Sequence, residues 1–265
     1  MKDSDQLAVA KRGRLVVIGT GIQPVGQLTN ESRAWLGAAD EVLHVLADPV
    51  MEGVLDRLCP GRHFSLRPYY LTDQRRRRAY DAMLQRIMEP LRAGLTVCAA
   101  FYGHPGVFAQ VPHEAIAAAR SEGMHATMLP GISAEDCLFA DLGVDPAAAG
   151  CITYEATDFV INQRMIDPAA ALILWQIGKV GIYTYTPASS SKAALEAVVD
   201  KLRPTHSGDH EVVLYEAANV PFTDPRIQRL RLADLPLERT HAGHTLYVPP
   251  SQRVSADPKY VHFRP

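Results

Sequence analysis

Short apolar segments that end in glycine or proline turns alternate with segments of helical periodicity along most of the chain. The apolar segments predict strands at residues 15–18, 41–46, 95–101, 126–129, 151–154, 171–177, 212–216, 229–232 and 244–248, the last two as parts of a meander. Helical spacing predicts helices at residues 74–91, 111–121, 133–142 and 190–202. Alternating strands and helices predict an α/β protein.

The chain has 265 residues, enough for one large or two medium α/β domains. Its formal net charge of -2 gives no reason to expect nucleic acid or a membrane surface as a partner. No apolar run approaches the roughly 20 residues of a membrane helix, and the first residues lack the apolar core of a signal peptide. The cysteines show no metal-binding or redox spacing, so we expect buried free thiols, no metal and a cytoplasmic location; they are Cys59, Cys98, Cys137 and Cys151.

A glycine loop follows the first predicted strand, with Gly19 and Gly21 flanking Thr20. Pro24 stands where the dinucleotide-binding fingerprint requires its third glycine, which excludes a nicotinamide-binding site of that type. From the residues alone, the loop is either a plain turn between strand and helix or a place where backbone approaches a ligand.

Four consecutive arginines, residues 75–78, open the helix predicted at 74–91. At 100° per residue, Arg76 and Arg77 flank the stripe that contains Tyr80, whereas the other two point away from it. An arginine one turn from Tyr80 would favour its phenolate form. Periodicity does not choose between Arg76 and Arg77.

Two further turns carry candidate ligand-binding groups. Tyr102 and His104 project from a turn rich in glycine and proline, after a strand whose carboxyl end is the usual place for ligands in an α/β sheet. His104 alone could equally be a structural turn residue. Ser133 follows Pro130 and Gly131 and is predicted to cap a helix, where free backbone amides can bind polar groups.

The glycine loop with its following Gln-Leu-Thr, and the Pro-Gly-x-Ser motif at residues 130–133, resemble tetrapyrrole methylases, the class III SAM-dependent methyltransferases. The spacing of Tyr70, Arg76 and Tyr80 and the string FYGHPGVF at residues 101–108 resemble the borosin subgroup, which methylates peptide backbone nitrogens. Similarity extends over about residues 13–250, and a tyrosine-glutamate-alanine motif at 215–217 and Thr245 before a valine-proline-proline string add to it.

The resemblance implies a two-domain tetrapyrrole-methylase-like fold with the active-site cleft between the domains. It divides the chain into a loose N-terminus at 1–12, an N-terminal domain at 13–131, a C-terminal domain at 132–250 and a tail at 251–265. It implies catalytic roles for Arg76, Tyr80 and Tyr102, with Tyr70 lining the substrate site. The SAM contacts that it implies are Tyr102, His104, Val107, Phe108, Ser133, Ala134, Gln176, Ala217 and Thr245. S-adenosylhomocysteine would be the product.

The residues from 251 onwards are polar and basic, without the run of Val, Ile, Leu or Gly expected of a core peptide. We therefore expect the substrate to be a separate precursor peptide with an apolar core. The resemblance implies a homodimer that binds two precursors, one per subunit. The alternatives are a tetrapyrrole C-methyltransferase acting on a precorrin or uroporphyrinogen, and a non-catalytic module that binds SAM or a peptide.

Overall fold

The computed structural model describes residues 13–23, 25–46, 49–70 and 75–263, and the chain forms two compact units. The first unit comprises the described residues up to Ala134, with Thr184–Thr186 and Asn219–Thr223 from later in the chain. The second comprises Glu135–Tyr183, Pro187–Ala218 and the described residues from Asp224 onwards. Within these ranges, no helix combines the length and the apolar character needed to cross a membrane.

The first unit is a five-stranded parallel sheet in the order β3-β2-β4-β1-β5. In chain order its elements are β1 Arg14–Gly19, α1 Asn30–Ala38, β2 Glu41–Val45, α2 Pro49–Leu58, β3 His63–Ser65, α3 Arg76–Arg92, β4 Thr96–Phe101, α4 Gln110–Ser121 and β5 His125–Met128. Leu15 and Val17 pack with α3 and α4, whereas Val16 and Ile18 pack with α1 and α2. Successive side chains of β1 thus fill two cores, as in a parallel sheet covered on both faces.

The second unit is a mixed five-stranded sheet in the order β6-β7-β10-β8-β9, in which only β6 and β7 pair in parallel. In chain order its elements are α5 Ala134–Leu142, α6 Pro146–Ala149, β6 Cys151–Glu155, α7 Ala156–Ile161, β7 Ala171–Trp175, α8 Lys192–Leu202, β8 Glu211–Glu216, β9 Arg226–Arg231 and β10 Thr245–Val248. One core joins this sheet to α7 and α8.

The α/β class is confirmed, and each predicted strand and helix is present with ends that differ by a few residues. The expected meander is wrong, because β10 lies between β7 and β8 and not beside β9. Helices α1 and α2 were not predicted, although Thr29 caps α1 by accepting a hydrogen bond from the Ser32 amide, which is a recognisable local signal. All four cysteines are free, but Cys137 and Cys151 are only half-buried, so the expected burial holds for two of them.

Candidate functional site

Three glycines meet at the carboxyl ends of the neighbouring strands β4, β1 and β5. A Cβ atom on Gly19 would lie 2.3 Å from the carbonyl oxygen of Gly103 and 3.0 Å from Cα of Gly131. A Cβ atom on Gly131 would lie 2.8 Å from the same oxygen of Gly103. The loops after these strands therefore pack backbone against backbone, and at Gly19 and Gly131 glycine is required by this packing.

The glycine loop after β1 is held by its own side chains and by the turn after β4. Gly21 has a φ of 75° and forms an antiparallel bridge with Gly103. Oε1 of Gln27 accepts hydrogen bonds from the amides of Ile22, at 2.7 Å, and Gln23, at 2.9 Å. The Gln-Leu-Thr motif that marked the family resemblance thus begins with the residue that closes this loop.

The turn after β4 presents Tyr102 to solvent and holds His104 within the turn. The Tyr102 side chain is 41% exposed, and its amide donates to the carbonyl oxygen of Val45 at 3.0 Å. Nδ1 of His104 accepts the amide hydrogen of Gly106 at 2.9 Å, which gives His104 a structural role whatever else it contacts. Phe108 is 46% exposed and has a φ of 51°, an uncommon conformation for a bulky residue.

On helix α3, the two arginines between which helical periodicity did not choose have different surroundings. Arg77 is exposed, donates to Oε1 of Glu114 at 2.6 Å and pairs with Asp81 at 2.8 Å. Arg76 is half-buried, and its charge acts on the Tyr70 hydroxyl. The inward face of α3 passes through Ala79, Met83 and Ile87, and Tyr80 is half-buried and packs against the same core at its margin.

Three tyrosines form an aromatic cluster beside Arg76. The ring of Tyr70 meets that of Tyr80 edge-on with centroids 6.4 Å apart and stacks on that of Tyr185 at 4.9 Å. Burial raises the pKa of Tyr70 to about 12, the neighbouring phenols add to the rise, and Arg76 and Arg67 oppose it. Tyr70 is therefore a neutral hydrogen-bond donor at physiological pH.

Sequence reasoning missed Tyr185. It belongs to the Thr184–Thr186 segment, which the first unit gains from the second half of the chain, and Thr184 forms an antiparallel bridge with Arg75. The alternating Tyr-Thr-Tyr-Thr at 183–186 suggests an extended segment but does not say what it pairs with. Only the folded chain shows that Tyr185 completes the aromatic cluster.

The remaining predicted contacts divide between the units. In the first unit, Ser133 is buried directly before α5, at the predicted helix start. In the second unit, Gln176 follows β7, Ala217 follows β8 and Thr245 opens β10, at one edge of three adjacent strands. Gln176 has a left-handed φ of 55°, and the amide that follows it, of Ile177, donates to the carbonyl oxygen of His244 at 3.2 Å. One edge of this sheet therefore gathers the three contacts predicted for the second half.

A second group at this edge was not singled out from the sequence. His241 and His244 lie in the turn before β10, next to Glu216 at the end of β8. Nε2 of His241 is 3.2 Å, and Nε2 of His244 is 3.7 Å, from the same carboxylate oxygen. Burial lowers the pKa of His244 to about 4, with His241 and Arg226 adding to the effect, so its imidazole is neutral. The His-x-x-His spacing was the available signal.

Known proteins resemble this chain both in sequence and in fold. The family of tetrapyrrole (corrin/porphyrin) methylases matches residues 14–236. A methyltransferase/ribosomally synthesized cyclic peptide dendrothelin A precursor of Dendrothele bispora is 40% identical over 248 residues, 92% of this chain and 59% of that protein. The methyltransferase/ribosomally synthesized cyclic peptide omphalotin A precursor of Omphalotus olearius is 38% identical over 252 residues, which are 93% of this chain and 60% of that protein. The chain spans about three fifths of the length of these relatives.

Solved structures resemble the fold at low identity. The uroporphyrin-III C-methyltransferase of Thermus thermophilus aligns with a TM-score of 0.62 and 21% identity, over 90% of this chain and 94% of that one. A structure of that enzyme in complex with S-adenosylhomocysteine aligns with a TM-score of 0.60 and 17% identity, over 89% of this chain and 92% of that one. These matches confirm the tetrapyrrole-methylase-like fold expected from the sequence.

Proposed function

The chain belongs to the tetrapyrrole methylase family, and we propose that it is a SAM-dependent methyltransferase that methylates backbone amide nitrogens of a separate precursor peptide. The observation that carries the proposal is the contact of Tyr70 with Tyr80 beside Arg76. Tyr102, the other proposed catalytic tyrosine, directly follows β4. Similarity to proteins named as methyltransferase and cyclic peptide precursor supports a peptide acceptor. Residues 13–131 would contribute the substrate groups and residues 132–250 most of the cofactor site.

The predicted cofactor residues have chemistry that suits SAM. An amide side chain and two hydroxyl groups, from Gln176, Thr245 and Ser133, can hydrogen-bond a ribose and an amino-acid group. Ala217, a small residue, lies with Gln176 and Thr245 at one edge of the second sheet. When bound, SAM supplies an electrophilic methyl group on a sulfonium. His104, Val107, Phe108 and Ala134 complete the proposed contacts, with Tyr102 shared between cofactor and substrate.

A peptide nitrogen is a weak nucleophile because its lone pair is delocalised into the carbonyl group. We propose that Arg76 donates hydrogen bonds to the amide oxygen, on which negative charge develops as the N–H proton leaves. The phenol oxygen of Tyr80 or Tyr102 would accept that proton while its own hydroxyl proton passes to solvent. The methyl–sulfur bond of bound SAM would break as the nitrogen–methyl bond forms, with S-adenosylhomocysteine as the leaving group. Tyr70, which stays protonated, would orient the acceptor by donating a hydrogen bond.

The proposed separate precursor distinguishes this chain from the relatives, whose names join methyltransferase and precursor in one protein. Within residues 251–265, Arg253, Asp257 and Lys259 interrupt any apolar run, so this segment is not the proposed acceptor. We further propose that the protein is a homodimer that binds one precursor per subunit.

The test is a methylation assay with SAM and two candidate acceptors, a short peptide with an apolar C-terminus encoded beside this gene and uroporphyrinogen III. We expect methyl groups on backbone nitrogens of the peptide, located by tandem mass spectrometry. Methyl groups on this chain itself would contradict a separate precursor. Transfer to uroporphyrinogen alone would establish the tetrapyrrole C-methyltransferase, which the family description favours. SAM binding without transfer to either would favour a non-catalytic module.

A further inference from the structure

Glu216, His241 and His244 converge at one edge of the second sheet. Because Thr245 pairs with Tyr215 in the antiparallel ladder, His244 and Glu216 are the next residues on the two strands. His241 reaches the same carboxylate from the other end of the turn, and one ligand atom from each residue lies within 4.8 Å of the other two. The turn itself is packed closely, since a Cβ atom on Gly178 would lie 2.1 Å from the carbonyl oxygen of His241.

The imidazole of His244 has an unusual environment within this group. Its side chain is completely buried, yet its Nε2 atom has no hydrogen-bond partner. A buried polar atom without a partner costs free energy, so its position needs a compensating interaction. The atom faces Glu216 at 3.7 Å, too far for a hydrogen bond. Glu216 and His241 are partly exposed, so a small ion could reach the group from solvent.

We propose that Glu216, His241 and His244 bind a divalent transition-metal ion, with Zn²⁺ the best match, through one carboxylate oxygen and two imidazole Nε2 atoms. Zinc bonds of about 2.0–2.1 Å at tetrahedral angles place neighbouring ligand atoms roughly 3.3 Å apart. The two measured nitrogen–oxygen separations, 3.2 and 3.7 Å, bracket that distance. Two imidazoles and one carboxylate are also a common ligand set for this class of ion.

Binding must rearrange the ring protons. Nδ1 of His244 accepts the His241 amide hydrogen, and Nδ1 of His241 accepts that of Gly243, both at 3.2 Å. A ring that accepts a hydrogen bond at Nδ1 carries its proton on Nε2 in its neutral form. Coordination through Nε2 moves that proton to Nδ1 with no net proton release, and the two backbone hydrogen bonds are lost. Both lie at the long end of the normal range, so metal–nitrogen bonds can replace them.

A bound ion would join the end of β8 to the turn before β10. Ala217 and Thr245, which are proposed SAM contacts, directly follow Glu216 and His244, so the ion would stiffen the edge on which those contacts lie. Metal binding itself does not depend on the proposed methyl transfer. It departs from the expectation of no metal, which considered the cysteines and not the histidine spacing.

The test is calorimetric titration of the chelator-treated, full-length protein with Zn²⁺. We expect one site per chain, weakened at least about tenfold by Glu216→Gln and by His241→Ala, because each removes one ligand. His262→Ala, which removes an exposed histidine elsewhere, should leave the affinity unchanged. Circular dichroism of the metal-free variants checks that each is folded.

An independent measurement follows the two amides that lose their acceptors. In the wild-type protein, Zn²⁺ should shift the NMR resonances of the His241 and Gly243 amides, and in Glu216→Gln the shifts should require more metal. The proposal is overturned if Zn²⁺ does not bind, or if it binds equally well to Glu216→Gln, His241→Ala and the wild type, which would mean adventitious surface binding. Because neither measurement uses SAM or a peptide, a negative result leaves the proposed function untouched.

Discussion

Arg76 and Arg77 are adjacent in the sequence but have different surroundings. Two carboxylates, from Glu114 and Asp81, neutralise Arg77 at the surface of the helix. Arg76 is half-buried next to the aromatic cluster and acts electrostatically on Tyr70. A difference of one residue, or 100° around the helix, therefore separates a surface ion pair from a candidate catalytic group.

Substitution of each arginine distinguishes the two roles. We expect Arg76→Ala to lower the methylation rate by about 100-fold or more, because removal of one oxyanion donor typically has an effect of that size. Arg77→Ala should change the rate by less than about twofold, since an exposed ion pair contributes little. Single-turnover rates at saturating SAM and peptide are the measurement. Equal effects of the two substitutions would contradict the role proposed for Arg76.

His44 gives a prediction about pH. It is buried on β2, its Nδ1 has no hydrogen-bond partner, and burial together with His63 lowers its pKa to about 4. His63 in turn contacts Asp56 at 2.9 Å. Because the unfolded chain binds this proton at a higher pH than the folded chain, stability is complete above about pH 6.5 and is lost as the pH falls towards 4.

The loss attributable to His44 should approach about 3 kcal/mol near pH 4, from a pKa difference of roughly two to three units. Urea unfolding at several pH values between about 4 and 7.5 measures it. In His44→Gln the dependence of unfolding free energy on pH should be shallower than in the wild type. A slope identical to that of the wild type would show that His44 is not the group responsible. His244, whose pKa is also lowered, should retain its own contribution.

Among the elements, the loops after β1, β4 and β5 depend on one another through their backbones. The contacts between Gly19, Gly103 and Gly131 leave no room for a Cβ atom at the first or the third. The glycines of the family motifs in these loops are therefore needed for close backbone packing, and this packing holds the carboxyl ends of the three strands together. Tyr102 and Ser133, next to these glycines in sequence, are positioned as a consequence.

Gly19→Ala tests this packing, with Gly26→Ala as its control in the same loop region. The first should destabilise the protein by about 3 kcal/mol or more, because the neighbouring atoms belong to backbone and cannot rotate away. The second should change stability by less than about 0.5 kcal/mol, since a Cβ atom on Gly26 meets nothing within 4 Å. Denaturant unfolding at neutral pH compares them. A small effect at Gly19 would mean that the loops can separate.

For the whole molecule, the prediction concerns assembly. By resemblance the protein should be a homodimer, so light scattering should give twice the chain mass of 29.0 kDa. With the precursor peptide, the mass should increase by two peptides per dimer. A mass equal to that of one chain at micromolar concentration would contradict the proposed assembly, although it would leave the reaction itself open to the methylation assay.

The sequence by itself predicted nine of the strands and the longer helices α3, α4, α5 and α8, because hydrophobic period, turn residues and caps act over a few residues. It did not predict α1, α2, β3, α6 or α7. It also determined the family, since the motifs that carry the resemblance are contiguous. It did not resolve strand order in the second sheet, where β10 inserts between β7 and β8, because pairing depends on residues far apart in the chain. Only the tertiary structure stacked Tyr185 on Tyr70 and brought Glu216 to the two histidines, since each of these depends on contacts between segments far apart in the chain.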